Sequence, residues 1–166
     1  MPATTRNCCV LFADVAGSTR LYEKLGDAEA LRAIERCLNR VERAIASCGG
    51  KVVKTIGDEL MATFATAELA CHAATVMHAR IEGLPSVAGG KLAIRVGFHF
   101  GSVLVDGVDV FGNTVNIAAR ITEVAKAREI ITSAETAQLL PESVRNSSVK
   151  PLPAITVKGV STPLEL

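Results

Sequence analysis

The sequence contains 166 residues, a length that suits one domain built around a single hydrophobic core. Hydrophobic residues make up 49% and charged residues 21%, which is a globular composition and excludes a disordered chain. Lys and Arg total 18 against 17 for Asp and Glu, and this net charge of +1 argues against a nucleic-acid partner. We therefore expect one domain that spans residues 1–166.

No segment of the chain predicts export or membrane insertion. Residues 1–7 are short and polar, and no apolar stretch of a signal peptide follows them. No run reaches the roughly 18 apolar residues of a transmembrane helix. The five cysteines are odd in number and none stands in a CxxC pair, so neither a disulfide framework nor a zinc site is indicated. We expect buried, reduced thiols in a cytoplasmic protein.

The first elements in chain order are a strand and two helices. Residues 8–13 (CCVLFA) form a short apolar run that is typical of a buried strand and ends at Asp14. A first helix follows and ends near Gly26, and Asp27 is expected to cap a second one. Apolar residues at steps of three and four predict the buried face of that second helix: Leu31, Ile34, Leu38, Val41, Ile45 and Cys48.

A hairpin and a third helix come next. Residues 51–56 and 59–64 predict two strands joined by a tight turn. Residues 66–84 are rich in alanine and predict a helix that residues 85–90 break. The apolar face of this helix is expected at Ala70, Ala73, Met77, Ile81 and Leu84.

The C-terminal part continues the alternation of strands and helices. Residues 91–105 predict two strands hinged near Gly101 and Ser102. Shorter elements are expected as a helix over 113–126, a strand over 129–132, a helix over 133–140 and a strand over 154–158. The core order is therefore βαββαβ, a ferredoxin-like α+β arrangement with α and β additions at the C-terminal end.

Asp14 is the first candidate functional residue, because it ends a buried strand where a helix begins. Gly17, Ser18 and Thr19 follow it closely, so the backbone N–H groups of the helix N-terminus face the same point as the carboxylate. Such a point suits a metal ion together with a phosphate on the amides. The alternative is that Asp14 only caps the helix.

The hairpin turn supplies a second carboxylate. Asp58 lies in the turn Gly57-Asp58, and in a ferredoxin-like sheet this hairpin is next to the first strand. An Asp in a turn is ordinary, but two adjacent carboxylates are how a two-metal site is built. Lys54 is also notable, because it lies on an otherwise apolar strand four residues before Asp58.

A third cluster lies on the helix predicted over 113–126. Asn116 and Arg120 are four residues apart and therefore share one helix face. Asn113 or Thr114 could cap this helix, whereas Asn116 lies in its interior among apolar neighbours. An Asn–Arg pair in this position could bind a ribose and a triphosphate, and the alternative is a solvated helix face.

Three segments together resemble the signature of the class III adenylyl and guanylyl cyclases. They are residues 12–19 (FADVAGST), 54–58 (KTIGD) and 109–120 (DVFGNTVNIAAR). They occur in the order of that family and at similar spacing, and the similarity covers nearly the whole chain. The resemblance implies the class III nucleotidyl cyclase fold and a bacterial-type adenylate cyclase, which converts ATP to 3′,5′-cyclic AMP and pyrophosphate.

The resemblance also implies which residues bind the metal ions and phosphates. Asp14 and Asp58 would bind two Mg²⁺ or Mn²⁺ ions per active site. Gly17, Ser18 and Thr19 would lie against the phosphates of the substrate. One ion would activate the ribose 3′-hydroxyl and the other would bind the triphosphate.

Base, ribose and phosphate roles follow from the same resemblance. Lys54 and Asp109 would bind the edge of the purine, and in this family a Lys–Asp pair goes with adenine. Asn116 would orient the ribose, and Arg120 would stabilise charge that develops at the α-phosphate. Lys158 matches a family lysine that binds the terminal phosphates.

In this family the metal carboxylates come from one subunit and the purine-binding and Asn–Arg residues from the other. Because one chain here has both sets, the resemblance implies a homodimer with two shared active sites. Neither a nucleic-acid partner nor membrane insertion within this chain is expected. A final strand starts near residues 161–166, so we expect a regulatory domain C-terminal to this chain.

Three other functions stay open at this stage. One is a guanylate cyclase, which the residues at positions 54 and 109 argue against. Another is a catalytically silent nucleotide-binding regulatory domain, although no functional position of the family is lost. The last is a different ferredoxin-like nucleotidyltransferase such as a diguanylate cyclase, to which residues 57–60 bear a weaker resemblance.

Overall fold

The computed structural model describes residues 4–86 and 90–148, whose strands form one sheet with helices packed on it. The strands are β1 (Thr4–Ala16), β2 (Lys51–Ile56), β3 (Glu59–Phe64), β4 (Ala93–Asp106), β5 (Asp109–Phe111) and β6 (Ile130–Thr132). The helices are α1 (Ser18–Leu25), α2 (Asp27–Ser47), α3 (Ala67–Glu82), α4 (Asn113–Val124), α5 (Ala134–Ala137) and α6 (Glu142–Ser148).

The sheet has the predicted ferredoxin-like topology. Its strand order is β2-β3-β1-β4-β5, with β6 added parallel to β4. Strands β1 to β4 pair antiparallel throughout. Helices α2 and α3 contact each other and pack on this sheet. The α+β class and the βαββαβ core are therefore confirmed. This topology puts β1 in the centre, between the β2–β3 hairpin and β4.

The central strand is buried because it is paired on both edges and covered on both faces. Every residue from Cys8 to Ala13 is buried, which explains why the run is continuously apolar instead of alternating. The strand is longer than predicted, since β4 pairs with it from Thr4 to Ala16. The backbone ladder thus extends the strand into polar sequence that carries no hydrophobic signal.

Helix α2 buries a face made largely of small side chains. Its buried residues are Ala30, Ala33, Ile34, Cys37, Leu38, Val41, Ala44 and Ile45. The prediction for Leu31 is wrong, because 49% of this residue is exposed, and Cys48 is only half-buried. Because Ala30 and Ala33 are buried, the buried face of the helix is centred away from Leu31. Gly26 is the N-cap and Asp27 the first helical residue, so the predicted capping role of Asp27 is also wrong.

Residues 93–106 form one continuous strand, β4, where two hinged strands were predicted. Gly101, near which the hinge was predicted, instead makes room for helix α4. A Cβ atom at Gly101 would lie 2.5 Å from Thr114 Oγ1, and that hydroxyl donates to the Ser102 carbonyl oxygen at 2.7 Å. Because β1 pairs with β4 along its whole length, the ladder keeps β4 continuous at this point.

The C-terminal elements differ from the prediction in their bounds. Helix α4 ends at Val124 and its N-cap is Gly112, so neither Asn113 nor Thr114 caps it. The helix predicted over 133–140 is only the short α5, and α6 follows it. The side chain of Ser133 caps α5 by accepting from Thr136 N. The strand predicted over 154–158 lies outside the described residues.

The hydrophobic side chains confirm the remaining core predictions. All five apolar positions predicted for α3 are buried, namely Ala70, Ala73, Met77, Ile81 and Leu84. Of the cysteines, Cys8, Cys9 and Cys37 are buried and the other two are half-buried. Within residues 4–86 and 90–148, no helix has the length and apolar content that crossing a membrane would take.

The contact between β4 and α4 gives a stability prediction at Gly97. A Cβ atom there would lie 2.6 Å from the backbone nitrogen of Thr122 and 2.8 Å from its Cα, so the helix itself would have to move. We expect Gly97→Ala to lower the free energy of unfolding by about 2 kcal/mol or more. Urea denaturation measures this loss. Gly83→Ala is the control, because its nearest neighbour would be 3.4 Å away; an equal effect in both variants would contradict the prediction.

Candidate functional site

A cavity of about 490 Å³ opens where β1 ends and α1 begins. The β2–β3 turn and the loop that follows α4 form its other walls. The lining residues are Asp14, Val15, Ala16, Gly17, Ser18, Thr19, Asp58, Arg95, Ala125, Lys126 and Ala127. The structure therefore brings five sequence-predicted site residues into one space: both candidate metal carboxylates and the Gly-Ser-Thr segment.

The two carboxylates are neighbours because the hairpin turn packs against the end of β1. Val15 N donates to the carbonyl oxygen of Asp58 at 3.2 Å, which fixes the turn beside Asp14. In the sheet register Asp14 is paired with Glu59 on one side and with Arg95 on the other. Burial raises the pKa of Glu59, and the negative charges of Asp14 and Asp58 raise it further against the effect of Arg95. The end of the sheet thus concentrates negative charge, which attracts cations.

Arg95 binds one oxygen of Asp14 and leaves the other free. Its Nε and Nη2 lie 2.9 Å and 2.7 Å from Asp14 Oδ2. Asp14 Oδ1 is buried and has no hydrogen-bond partner among the described residues. Burial raises the pKa of Asp14, the hydrogen bond from Arg95 opposes this rise, and the nearby charge of Asp58 adds to it. A buried carboxylate oxygen without a donor is a position that a cation can fill.

The two carboxylates suit a hard divalent cation that also keeps water or substrate oxygens as ligands. Within the described ranges, no group of three or more His, Cys, Asp or Glu side chains is arranged to bind a metal ion. Asp14 and Asp58 would therefore supply two carboxylates, with water and substrate oxygens completing the shell. Mg²⁺ is usually bound in this way, through one or two carboxylates and substrate phosphates.

The start of α1 forms another part of the cavity wall. Gly17 is the N-cap with φ 75°, a left-handed conformation that favours glycine, and no side chain of the described residues caps the helix. The alternative that Asp14 serves as the helix cap is thus excluded. The amides of the first turn, which begins at Ser18 and Thr19, are left for a ligand or for water. Such a helix start favours an anion.

Lys54 and Asp109, which lie on the two edge strands of the sheet, contact each other. Lys54 on β2 and Asp109 on β5 form a salt bridge of 3.0 Å, so these two edges approach each other. Asp109 Oδ1 accepts from Val110 N at 2.8 Å. The hydrogen bond from Lys54 lowers the pKa of Asp109, although burial opposes it slightly. The predicted Lys–Asp pairing is therefore present within one chain.

Asn116 and Arg120 lie on α4 and are exposed, and neither lines the cavity. Arg120 Nη1 forms a 3.0 Å salt bridge with Glu123 Oε2 on the same helix. Within a single chain this pair therefore does not share the cavity of the two carboxylates. Lys158, the remaining predicted residue, lies outside the described residues.

Arg95 and Lys126 line the cavity but were missed from the sequence. Arg95 has the same sequence feature as Lys54, a basic residue in an apolar strand, because it lies between Ile94 and Val96. Its Nη1 also donates to the carbonyl oxygen of Glu123 at 3.1 Å. Arg95 therefore connects the Asp14 carboxylate to the C-terminal end of α4. Lys126 gives no such signal, because loop lysines are common.

Sequence comparison places the chain among known cyclases. The family described as the adenylate and guanylate cyclase catalytic domain matches residues 1–165. An adenylate cyclase of Streptomyces coelicolor is 35% identical over 123 residues, which cover 72% of this chain and 30% of the relative. One of Streptomyces griseus is 39% identical over 116 residues, or 70% of this chain and 28% of the relative. The chain thus spans less than a third of the length of these two relatives.

Solved structures agree with this placement. The adenylate/guanylate cyclase/hydrolase from Silicibacter pomeroyi is 28% identical with a TM-score of 0.80, covering 98% of this chain and 95% of the other. The adenylyl cyclase CyaB from P. aeruginosa is 25% identical with the same TM-score, covering 99% and 94%. With the family match over nearly all of its length, this chain belongs to the adenylate and guanylate cyclase catalytic domains.

Proposed function

We propose that the chain is an adenylate cyclase, in which residues 1–166 form one catalytic domain and two copies share two active sites. The reaction is the conversion of ATP to 3′,5′-cyclic AMP and pyrophosphate. The observation that carries the proposal is the free, buried Oδ1 of Asp14 beside Asp58, in a cavity that the uncapped start of α1 also lines. The family membership and the adenylate cyclases among the relatives support the same reaction.

Asp14 and Asp58 would bind two Mg²⁺ or Mn²⁺ ions. When bound, these ions supply positive charge that activates the ribose 3′-hydroxyl and neutralises the triphosphate. The salt bridge from Arg95 to Oδ2 keeps Oδ1 directed away from the guanidinium. The amides that follow Gly17 lie in the same cavity and would bind phosphate oxygens.

The chemical step needs positioning and charge more than a nucleophilic side chain. The 3′-oxygen forms a bond to the α-phosphorus, the bond from that phosphorus to the bridging oxygen breaks, and pyrophosphate leaves; the hydroxyl proton is lost to solvent. Asn116 would orient the ribose for in-line attack. Arg120 would stabilise the charge that develops at the α-phosphate, as arginines do in phosphoryl transfer. To do so Arg120 must leave its exposed salt bridge with Glu123, which costs little.

Lys54 and Asp109 would select adenine. The Lys54 ammonium can donate to N1 of the base and the Asp109 carboxylate can accept from the 6-amino group. Guanine presents the opposite polarity at both positions, a hydrogen on N1 and a carbonyl oxygen at C6. The 3.0 Å salt bridge supports this pairing, because it brings a donor and an acceptor side by side on an exposed edge.

A second copy of the chain would complete each site. Asn116 and Arg120 do not line the cavity that contains Asp14 and Asp58, so one chain alone has the two halves apart. Large apolar side chains are exposed near the Lys54–Asp109 pair: Ile56 (53%), Leu104 (47%), Val108 (70%) and Phe111 (47%). Leu104 and Phe111 are cross-strand partners, so they form a continuous apolar surface. Exposed apolar patches of this kind mark interaction sites.

The proposed function is tested by incubating the purified chain with ATP or GTP, with Mg²⁺ or Mn²⁺ and with a chelator. We expect cyclic AMP and pyrophosphate in equal amounts from ATP, only when metal is present, and much less product from GTP. Cyclic GMP as the main product would contradict the base selection by Lys54 and Asp109 alone. No product from either nucleotide, in a folded and dimeric protein, would contradict the proposed catalysis.

A further inference from the structure

Lys126 lines the cavity of Asp14 and Asp58, yet it has no assigned role. It lies in the loop that follows α4 and is exposed. Among the residues that the structure describes, no salt bridge or hydrogen bond engages its ammonium group. A cation that lines a polar cavity and has no partner among the described residues is available to a ligand.

The backbone around Lys126 is fixed although its side chain is free. Lys126 N donates to Glu129 Oε1 at 2.7 Å, and Glu129 N donates to the carbonyl oxygen of Lys126 at 3.0 Å. Arg95 Nη1 donates to the carbonyl oxygens of Glu123 and Ala125, at 3.1 Å and 3.5 Å. The loop is thus attached to β4, so the Lys126 side chain starts from a fixed point on the cavity wall.

The charges in the cavity show what this lysine could bind. Asp14 and Asp58 line the cavity together with Arg95, whose guanidinium already forms a salt bridge with Asp14. Lys126 is the other cationic side chain of the described cavity lining, and its ammonium group forms no salt bridge among the described residues. The amides that follow Gly17 line the same space and also favour an anion. A polyphosphate chain carries negative oxygens on successive phosphates and can contact both of these groups.

We propose that Lys126 is a further substrate-binding residue, which binds the terminal phosphates of the nucleotide and the pyrophosphate before it leaves. This inference rests on the proposed function, because it takes the cavity to be the phosphate site. Lys126 acts from the chain that also supplies Asp14 and Asp58. A compact ammonium on a flexible four-carbon side chain can follow the phosphates as pyrophosphate departs.

The test compares Lys126→Met with Lys126→Arg and with the control Lys51→Met. Lys51 is an exposed lysine at the start of β2, at the opposite end of that strand from the Asp58 turn, and it does not line the cavity. Calorimetry would measure the binding of inorganic tripolyphosphate with Mg²⁺ to each dimeric protein, and assays would give KM for ATP and inhibition by pyrophosphate. We expect Lys126→Met to weaken tripolyphosphate binding, raise the KM for ATP and weaken inhibition by pyrophosphate, each by roughly tenfold, as for the loss of one charge-assisted hydrogen bond. Lys126→Arg should keep most of the binding.

The direct binding measurement separates this inference from the proposed function. If the wild-type chain forms no cyclic nucleotide but binds tripolyphosphate through Lys126, the inference is supported and the catalysis is contradicted. If the wild-type enzyme is active and Lys126→Met binds tripolyphosphate and ATP as Lys51→Met does, the inference is overturned and the catalysis stands. Circular dichroism of each variant shows that an exposed substitution has left the fold intact.

Discussion

Asp14→Asn is expected to lower cyclic AMP formation by roughly a thousandfold, which corresponds to about 4 kcal/mol of transition-state stabilisation. The substitution keeps the size of the side chain and removes the negative charge that would bind the metal ions. It also leaves an amide where Arg95 now has a carboxylate at 2.7 Å. The initial rate with saturating ATP, over a range of Mg²⁺ and Mn²⁺ concentrations, measures the effect.

The control for this variant is Asp27→Asn, which removes the same charge from the first turn of α2, outside the cavity lining. Its activity should equal that of the wild-type chain. Both proteins should have the same circular dichroism spectrum, because Asp14 lies at the end of β1 and the buried run before it is unchanged. Retention of more than a tenth of the activity by Asp14→Asn would contradict the assignment of Asp14 as a metal ligand.

The proximity of Asp14 and Asp58 could be predicted because it follows from topology. In a ferredoxin-like sheet the hairpin that comes after the first helical segment pairs with the first strand, so its turn lies beside the end of that strand. The structure confirms this neighbourhood through the hydrogen bond from Val15 N to the Asp58 carbonyl oxygen. The pairing of Lys54 with Asp109 followed from the family resemblance, since nothing in the local sequence joins positions 55 residues apart.

The rest depended on contacts between elements that are distant in the sequence. Arg95 becomes part of the site only because β4 pairs with β1 in the register that sets it opposite Asp14. A shift of one residue would have turned its side chain to the other face of the sheet. Gly101 resembled a hinge from local sequence, but it is a place where Thr114 packs closely. Local sequence patterns predict neither the register of β1 with β4 nor the close contact of Gly101 with Thr114.

Glu123 shows how far the site depends on long-range structure. Its carboxylate pairs with Arg120 and its carbonyl oxygen accepts from Arg95. One residue at the end of α4 therefore contacts both the candidate α-phosphate arginine and the arginine that binds Asp14. The two halves of the candidate site are thus connected through α4 in each chain, although in the proposed dimer they would belong to different active sites.

Mixing Asp58→Ala with Asn116→Ala is expected to restore activity that neither variant has alone. Each homodimer would have two defective sites, lacking either a metal carboxylate or the ribose-orienting amide. A heterodimer would have one site with both defects and one with none. Random exchange of equal amounts makes half of the dimers heterodimers, so about a quarter of the wild-type activity should return. Activity is measured after exchange, which two different affinity tags verify.

The matched control carries both substitutions in one chain and is mixed with the wild-type protein. Before exchange the mixture has about half the activity of pure wild-type enzyme; each heterodimer formed would then have one defect in each site, so activity should fall to about a quarter. If each site lay within one chain, the two single variants would stay inactive on mixing and this mixture would keep its half. Because Asn116 does not line the cavity of Asp58, we expect the fall to about a quarter. The two mixtures thus move in opposite directions only if two chains share each site.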